Sequence, residues 1–128
     1  MLLAEDNPGD VFLIREALQL QELDFELVVL PDGEEMFAFI DRIDAGTVPC
    51  PDIVLLDLNL PKQSGETLLE RMRESPVCSQ VPVIIVTSSA SPKDRETTSR
   101  LGASSYFQKP SDFEEFMRLG SLVKRFVS

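Results

Sequence analysis

The stretch Ile53-Val54-Leu55-Leu56-Asp57-Leu58-Asn59-Leu60-Pro61-Lys62 decides how the rest of the chain is read. Its first four residues form a continuous apolar run, which suits a strand covered on both faces, and such strands belong to parallel sheets flanked by helices. The run then ends on a carboxylate. An acid at that point would spoil a core position unless it stands just past the end of the strand. We therefore read Asp52–Leu56 as a strand and Asp57 as the first residue beyond it.

Working outward, further candidate strands occur at Met1–Ala4, Asp24–Leu30, Val81–Val86 and Ser104–Phe107. Three of the five are continuous apolar runs, but Phe25-Glu26-Leu27-Val28-Val29 partly alternates, as an edge strand does. Between the runs lie stretches with helical periodicity, predicted as helices over about 9–20, 33–45, 64–75, 92–101 and 112–127. Asn7-Pro8 and Ser91-Pro92 each place a capping side chain before a proline, which has no N–H to leave unsatisfied in the first turn. Asp32-x-x-Glu35 and Ser111-x-x-Glu114 have the spacing of a reciprocal cap. Gly46 and Gly102 stand where helices should stop, because glycine accepts the left-handed conformation that ends a helix. In the last helix Phe113, Phe116, Met117, Gly120, Val123 and Val127 recur at three- and four-residue steps, so that helix should lie on the sheet. Five βα units imply an α/β fold, a doubly wound (βα)5 parallel sheet joined by right-handed crossovers. At 128 residues, we expect one domain spanning 1–128.

Composition narrows the function. The chain is 43% apolar and 27% charged, close to a globular average, and its apolar runs are far too short to cross a bilayer. With 12 basic and 22 acidic residues the net charge is −10, so contact with nucleic acid or an anionic membrane would begin under repulsion, and neither is expected as a partner. The first residues lack the basic flank of a secretory signal, so a cytoplasmic location is expected. Cys50 and Cys78 form no C-x-x-C pair and are expected to be free thiols in a reducing compartment. With no histidine in the chain, Ser-His-Asp and Cys-His chemistry is excluded. Any chemistry must use carboxylates, lysine, hydroxyls or a bound metal.

Polar residues collect at the strand ends. Glu5 and Asp6 follow the first strand, Asp57 ends the third, Thr87 and Ser88 end the fourth and Lys109 follows the fifth. In the doubly wound order 2-1-3-4-5 these ends share one rim, where such sheets bind ligands. Three carboxylates in one pocket repel one another unless a cation lies among them. Oxygen-only ligands favour Mg²⁺, with Mn²⁺ as a substitute. Lys109 and the Thr87 hydroxyl could then hold a phosphoryl group, and Asp57 could accept one by in-line attack. Taken singly, each feature has a plainer reading: an acidic pair at a helix start, a Ser/Thr-rich loop, a surface lysine. Their joint arrangement outweighs those readings.

Glu5-Asp6, Asp57 within Leu55-Leu56-Asp57-Leu58-Asn59-Leu60-Pro61, Gly65, Thr87 and Lys109-Pro110 occur in the order and at the intervals of a known family. The chain resembles the receiver domain of bacterial two-component response regulators, a flavodoxin-like fold, over essentially its whole length. Glu5-Asp6-Asn7-Pro8-Gly9-Asp10 and the segment around Asp57 look further like stand-alone receivers associated with phytochrome-type kinases. The resemblance implies that Asp57 accepts a phosphoryl group from the phosphohistidine of a sensor histidine kinase or a histidine phosphotransfer domain. It implies Mg²⁺ ligation by Asp6, Asp57 and the Asn59 carbonyl, with Glu5 acting through water, and phosphoryl binding by Thr87 and Lys109. It also implies a cis Lys109-Pro110 peptide, and a switch in which Thr87 and Tyr106 move together to reshape the face formed by the fourth helix, fifth strand and fifth helix.

The sequence departs from the family at several places. Glu5 replaces a commoner aspartate, and Ser111 stands where an aromatic is frequent. Ser104-Ser105 replaces acids that pair across some dimers, so a monomer or weak homodimer is expected. The first-strand motif begins at residue 1, earlier than in most members. Such a protein modifies itself and is not a turnover enzyme. Two alternatives differ in class. One is a pseudo-receiver, an interaction module without phosphorylation. The other is an aspartyl-phosphate phosphatase, against which Asn59 stands in place of the second acid of an Asp-x-Asp motif.

Overall fold

The computed structural model describes residues 1–127. Its strands are β1 (Leu2–Ala4), β2 (Val28–Leu30), β3 (Val54–Leu56), β4 (Val83–Thr87) and β5 (Ser105–Gln108). They form one sheet in the order β2-β1-β3-β4-β5, and every pairing is parallel. The predicted order is therefore found, with the partly alternating strand at one edge. The first four strands are shorter than predicted, most of all β2, where Asp24–Leu27 runs outside the ladder, while β5 keeps its length one residue later.

The helices are α1 (Pro8–Leu20), α2 (Gly33–Asp44), α3 (Gly65–Glu74), α4 (Pro92–Arg100), α5 (Phe113–Phe116) and α6 (Arg118–Val127). Asn7, Asp32 and Ser91 cap their helices as their sequence positions imply, each accepting a backbone N–H three residues on. The predicted Ser111 cap is not formed. Asp112 takes that place and accepts from the Glu114 N–H, because the helix begins one residue later, at Phe113. The single helix predicted over 112–127 is divided at Met117, where the Gly120 N–H turns to the Met117 carbonyl in a tighter turn.

Alternation along the strands sorts the core into two layers. Leu2, Ala4, Val54, Leu56 and Ile85 face α2 and α3 through Met36, Ile40, Leu68 and Met72. Leu3, Leu55, Ile84 and Val86 face α1, α5 and α6 through Ile14, Leu18, Phe116 and Val123. With both faces covered, β1, β3 and β4 are buried throughout, which is why they read as unbroken apolar runs. Helix α4 buries only Thr98.

One expectation fails in this layer. Cys50 and Cys78 are not free thiols but a disulfide, with Cα atoms 5.6 Å apart. Cys78 packs into the α2–α3 core and Cys50 lies against the same cluster, so two loops 28 residues apart in sequence meet beneath the sheet. Tertiary proximity of that kind leaves no mark in the cysteine spacing.

Candidate functional site

Backbone hydrogen bonds carry the ladders one residue past the strands and so fix the site. The Glu5 N–H donates to the Leu30 carbonyl at 3.1 Å, Asp57 to Ala4 at 3.1 Å and Lys109 to Thr87 at 2.7 Å. The polar residues after the strands are therefore held in sheet register before any side chain is considered. Gly65 tightens the far wall: a Cβ there would lie 2.7 Å from the Asp57 carbonyl oxygen, so glycine lets α3 start directly against the backbone that carries Asp57.

The side chains converge on Lys109. Its Nζ lies 2.6 Å from Glu5 Oε1, 2.8 Å from Asp10 Oδ2 and 2.9 Å from Asp57 Oδ2. Glu5 and Asp57 are buried, only 2% and 6% exposed. Burial pushes the Glu5 carboxyl up to about 7 despite its bond to Lys109, and the nearby Asp57 charge adds to the rise. Burial works against the charge of Lys109, but the hydrogen bonds to Asp10, Glu5 and Asp57 outweigh it and hold the ammonium above the ordinary lysine value. Asp57 Oδ1 accepts the Asn59 N–H at 3.1 Å, and Glu5 Oε2 accepts that of Asn7 at 3.2 Å.

Asp6 stays exposed, and one oxygen from each of Glu5, Asp6 and Asp57 falls within 4.8 Å of the others, a group that could hold a metal ion. The donors are oxygens only, as a hard divalent cation requires. Thr87 is buried at the end of β4. Its hydroxyl oxygen accepts the Ser89 N–H at 3.4 Å and lies 3.5 Å from Asn59 Nδ2. Tyr106 is not part of the carboxylate cluster. It lies on β5, donates to the Ser89 carbonyl at 3.0 Å and carries the Arg95 guanidinium over its ring at 4.3 Å. Ser89 thus touches both Thr87 and Tyr106.

The sheet therefore brings together Glu5, Asp6, Asp57 and Lys109, with Asn59 and Thr87 alongside and Tyr106 one residue contact away. The expected cis peptide before Pro110 is absent: among the described residues no peptide bond is cis. Lys109 reaches inward without it, because its N–H already extends the β4–β5 ladder. Asp10 was not among the expected site residues. An acid in the first turn of a helix is accounted for by the helix dipole, and only its place on the pocket side of α1 reveals a second partner.

Known proteins share this fold. The profile of the response regulator receiver domain matches residues 1–119. The response regulator Rcp1 of Synechocystis sp. is 30% identical over 127 residues, spanning 98% of this chain and 86% of that protein. The crystal structure of the phosphorylated cyanobacterial phytochrome response regulator RcpA superimposes with a TM-score of 0.87 at 29% identity, over 98% of this chain and 91% of its own. The Mn²⁺-bound form of Rcp1 gives 0.86 at 30% identity, with the same two coverages of 98% and 91%. A sheet of this order, an acidic pocket at its carboxyl rim and a family match over most of the sequence have one common explanation: the chain belongs to the response regulator receiver domains and is a response regulator of two-component signalling.

Proposed function

We propose that Asp57 is the phosphoacceptor and that Lys109 and Thr87 bind the transferred group. The observation that carries this reading is the Lys109 ammonium, 2.9 Å from the Asp57 carboxylate, with both side chains largely withdrawn from water. Receiver domains take their phosphoryl group from histidine kinases or phosphotransfer proteins and pass the signal to downstream targets. Here an Asp57 oxygen attacks phosphorus in line, the new P–O bond forms as the P–N bond of the phosphohistidine breaks, and the electron pair leaves with the imidazole nitrogen. Lys109 faces the negative charge on the transferred oxygens, and the buried Thr87 hydroxyl donates to one of them once it turns from Ser89. A divalent cation, Mg²⁺ with Mn²⁺ as substitute, fits Asp6, Asp57 and the Asn59 carbonyl, with Glu5 acting through water; it supplies charge neutralisation at the phosphoryl oxygens.

The Thr87–Ser89–Tyr106 connection supports the proposed output. When Thr87 turns to the phosphoryl group, the backbone at Ser89 loses its bond to the hydroxyl, and Tyr106, which hangs on the Ser89 carbonyl, responds with it. The face built from α4, β5 and the α5–α6 helix then shifts between two populations. We read residues 1–128 as one receiver domain that modifies only itself, acts as a monomer or weak homodimer in the cytoplasm, and takes neither nucleic acid nor membrane as partner. The paired Cys50 and Cys78 lend that compartment no support, and the location rests on where kinases make phosphohistidine. No described helix is long and apolar enough to cross a membrane. No observation at the site favours the pseudo-receiver.

The test is intact mass after incubation with acetyl phosphate and Mg²⁺, beside Asp57→Asn and a chelated control. One added phosphoryl group in the wild type alone is the expected result. No adduct under conditions where a beryllofluoride complex also fails to form overturns the proposal.

A further inference from the structure

We propose that Asp10 is a positioning residue for Lys109, holding the ammonium in the pocket when a divalent cation draws on the Glu5 and Asp57 oxygens. The inference rests on the reading of Asp57 as phosphoacceptor. A lysine ammonium has three N–H donors, and here each meets a different carboxylate, Glu5 at 2.6 Å, Asp10 at 2.8 Å and Asp57 at 2.9 Å. Glu5 and Asp57 belong to the group that could hold a metal ion, together with Asp6, whereas Asp10 lies outside it. A cation entering that group draws on two of the three partners of Lys109, Asp57 directly and Glu5 through water, and repels the ammonium. Asp10 is the partner that remains.

Asp10 is well placed to do this. It sits in the first turn of α1, where its N–H donates to the capping Asn7 Oδ1 at 3.1 Å, and that turn begins directly after Asp6. The helix dipole explains an acid at this position, but not a carboxylate directed at an ammonium 99 residues away in sequence. Lys109, 9% exposed in its side chain, has little water to replace a lost partner. Without Asp10 it would lean toward Asp57 or withdraw, and either shift moves charge away from the site where the phosphoryl oxygens arrive.

Two measurements test the proposal. The first uses ¹⁵N-labelled protein without metal, observing the side-chain ammonium groups of the lysines. The wild-type Lys109 ammonium should be protected from exchange with water, unlike that of exposed Lys62, and Asp10→Asn should weaken that protection severalfold, with Asp10→Glu restoring part of it. The second follows phosphorylation by acetyl phosphate across Mg²⁺ concentrations. Asp10→Asn should lower the rate at saturating Mg²⁺ by about tenfold while the half-saturating Mg²⁺ concentration moves much less, again with partial recovery in Asp10→Glu. Unchanged ammonium exchange, or a saturated rate within about twofold of wild type, overturns the positioning role and leaves the phosphoacceptor reading standing. If the wild type itself takes no phosphoryl group, that reading falls and the role of Asp10 falls with it.

Discussion

Gly120 in α6 lies against the carbonyl oxygen of Ala17 in α1 so closely that a Cβ added at position 120 would overlap it. The two helices cover the same face of the sheet, and this contact sets how near they come. Alanine is the better helix former by about 1 kcal/mol, which alone would make Gly120→Ala stabilising. Overpacking against backbone, which cannot rotate away as a side chain can, costs about 1–3 kcal/mol or more and should win. Gly120→Ala is expected to lower the urea midpoint at unchanged slope. An unchanged or raised midpoint would show that α1 and α6 separate freely.

The Cys50–Cys78 bond closes a loop across the lower edge of the sheet. Restricting the unfolded chain over a separation of 28 residues contributes about 3.6 kcal/mol in the chain-entropy account. Reduction should lower the unfolding free energy by that order while leaving phosphorylation of Asp57 intact, since the bond and the site lie at opposite ends of the strands. Paired denaturation curves with and without reductant check it, and coincident curves would mean the bond adds nothing.

The parts of this molecule that were legible in the sequence are those where one local rule and one global rule agree. Ile53–Leu56 is an unbroken apolar run because β3 is covered on both faces, and Asp57 is polar because it stands past the ladder. Asn7, Asp32 and Ser91 could be read as caps because the residues that follow each of them already carry helical periodicity. What stayed hidden depends on distance in space. The disulfide needs two loops to meet, and Asp10 needs α1 to turn one face to the pocket. The Lys109–Pro110 geometry was inferred from resemblance alone, and no residue nearby constrained it.

Tyr106 is the only tyrosine, and there is no tryptophan, so intrinsic emission reports on this one ring. The Arg95 guanidinium stacks 4.3 Å from its centroid while the hydroxyl donates to the Ser89 carbonyl. A cation–π contact at a partly exposed site contributes about 0.5–1 kcal/mol, enough to bias the ring and too little to hold the fold. Arg95→Ala should change Tyr106 emission with a loss of stability below about 1 kcal/mol. Beryllofluoride with Mg²⁺ should alter emission in the wild type and alter it differently in the variant. Identical spectra in all four samples would remove Arg95 from the switch.

Asp44 joins α2 to α3 through the Ser75 hydroxyl and the Arg71 guanidinium, the latter at 2.7 Å. The Ser75 hydrogen bond, then that to Arg71, hold its carboxyl below the ordinary value of 3.8. The sign follows from linkage: a carboxyl whose folded pKa is depressed stabilises the fold above its unfolded pKa, and that contribution is lost as the pH falls through the folded value. Asp44→Asn keeps an acceptor for Ser75 but loses the charge that faces Arg71. The stability gap between wild type and Asp44→Asn should therefore be constant from neutral pH down to about 4 and close progressively below it. Urea midpoints of the two proteins across that range measure the gap, and a difference that persisted unchanged at the acid end would show that hydrogen-bond shape, not charge, makes the contact between α2 and α3.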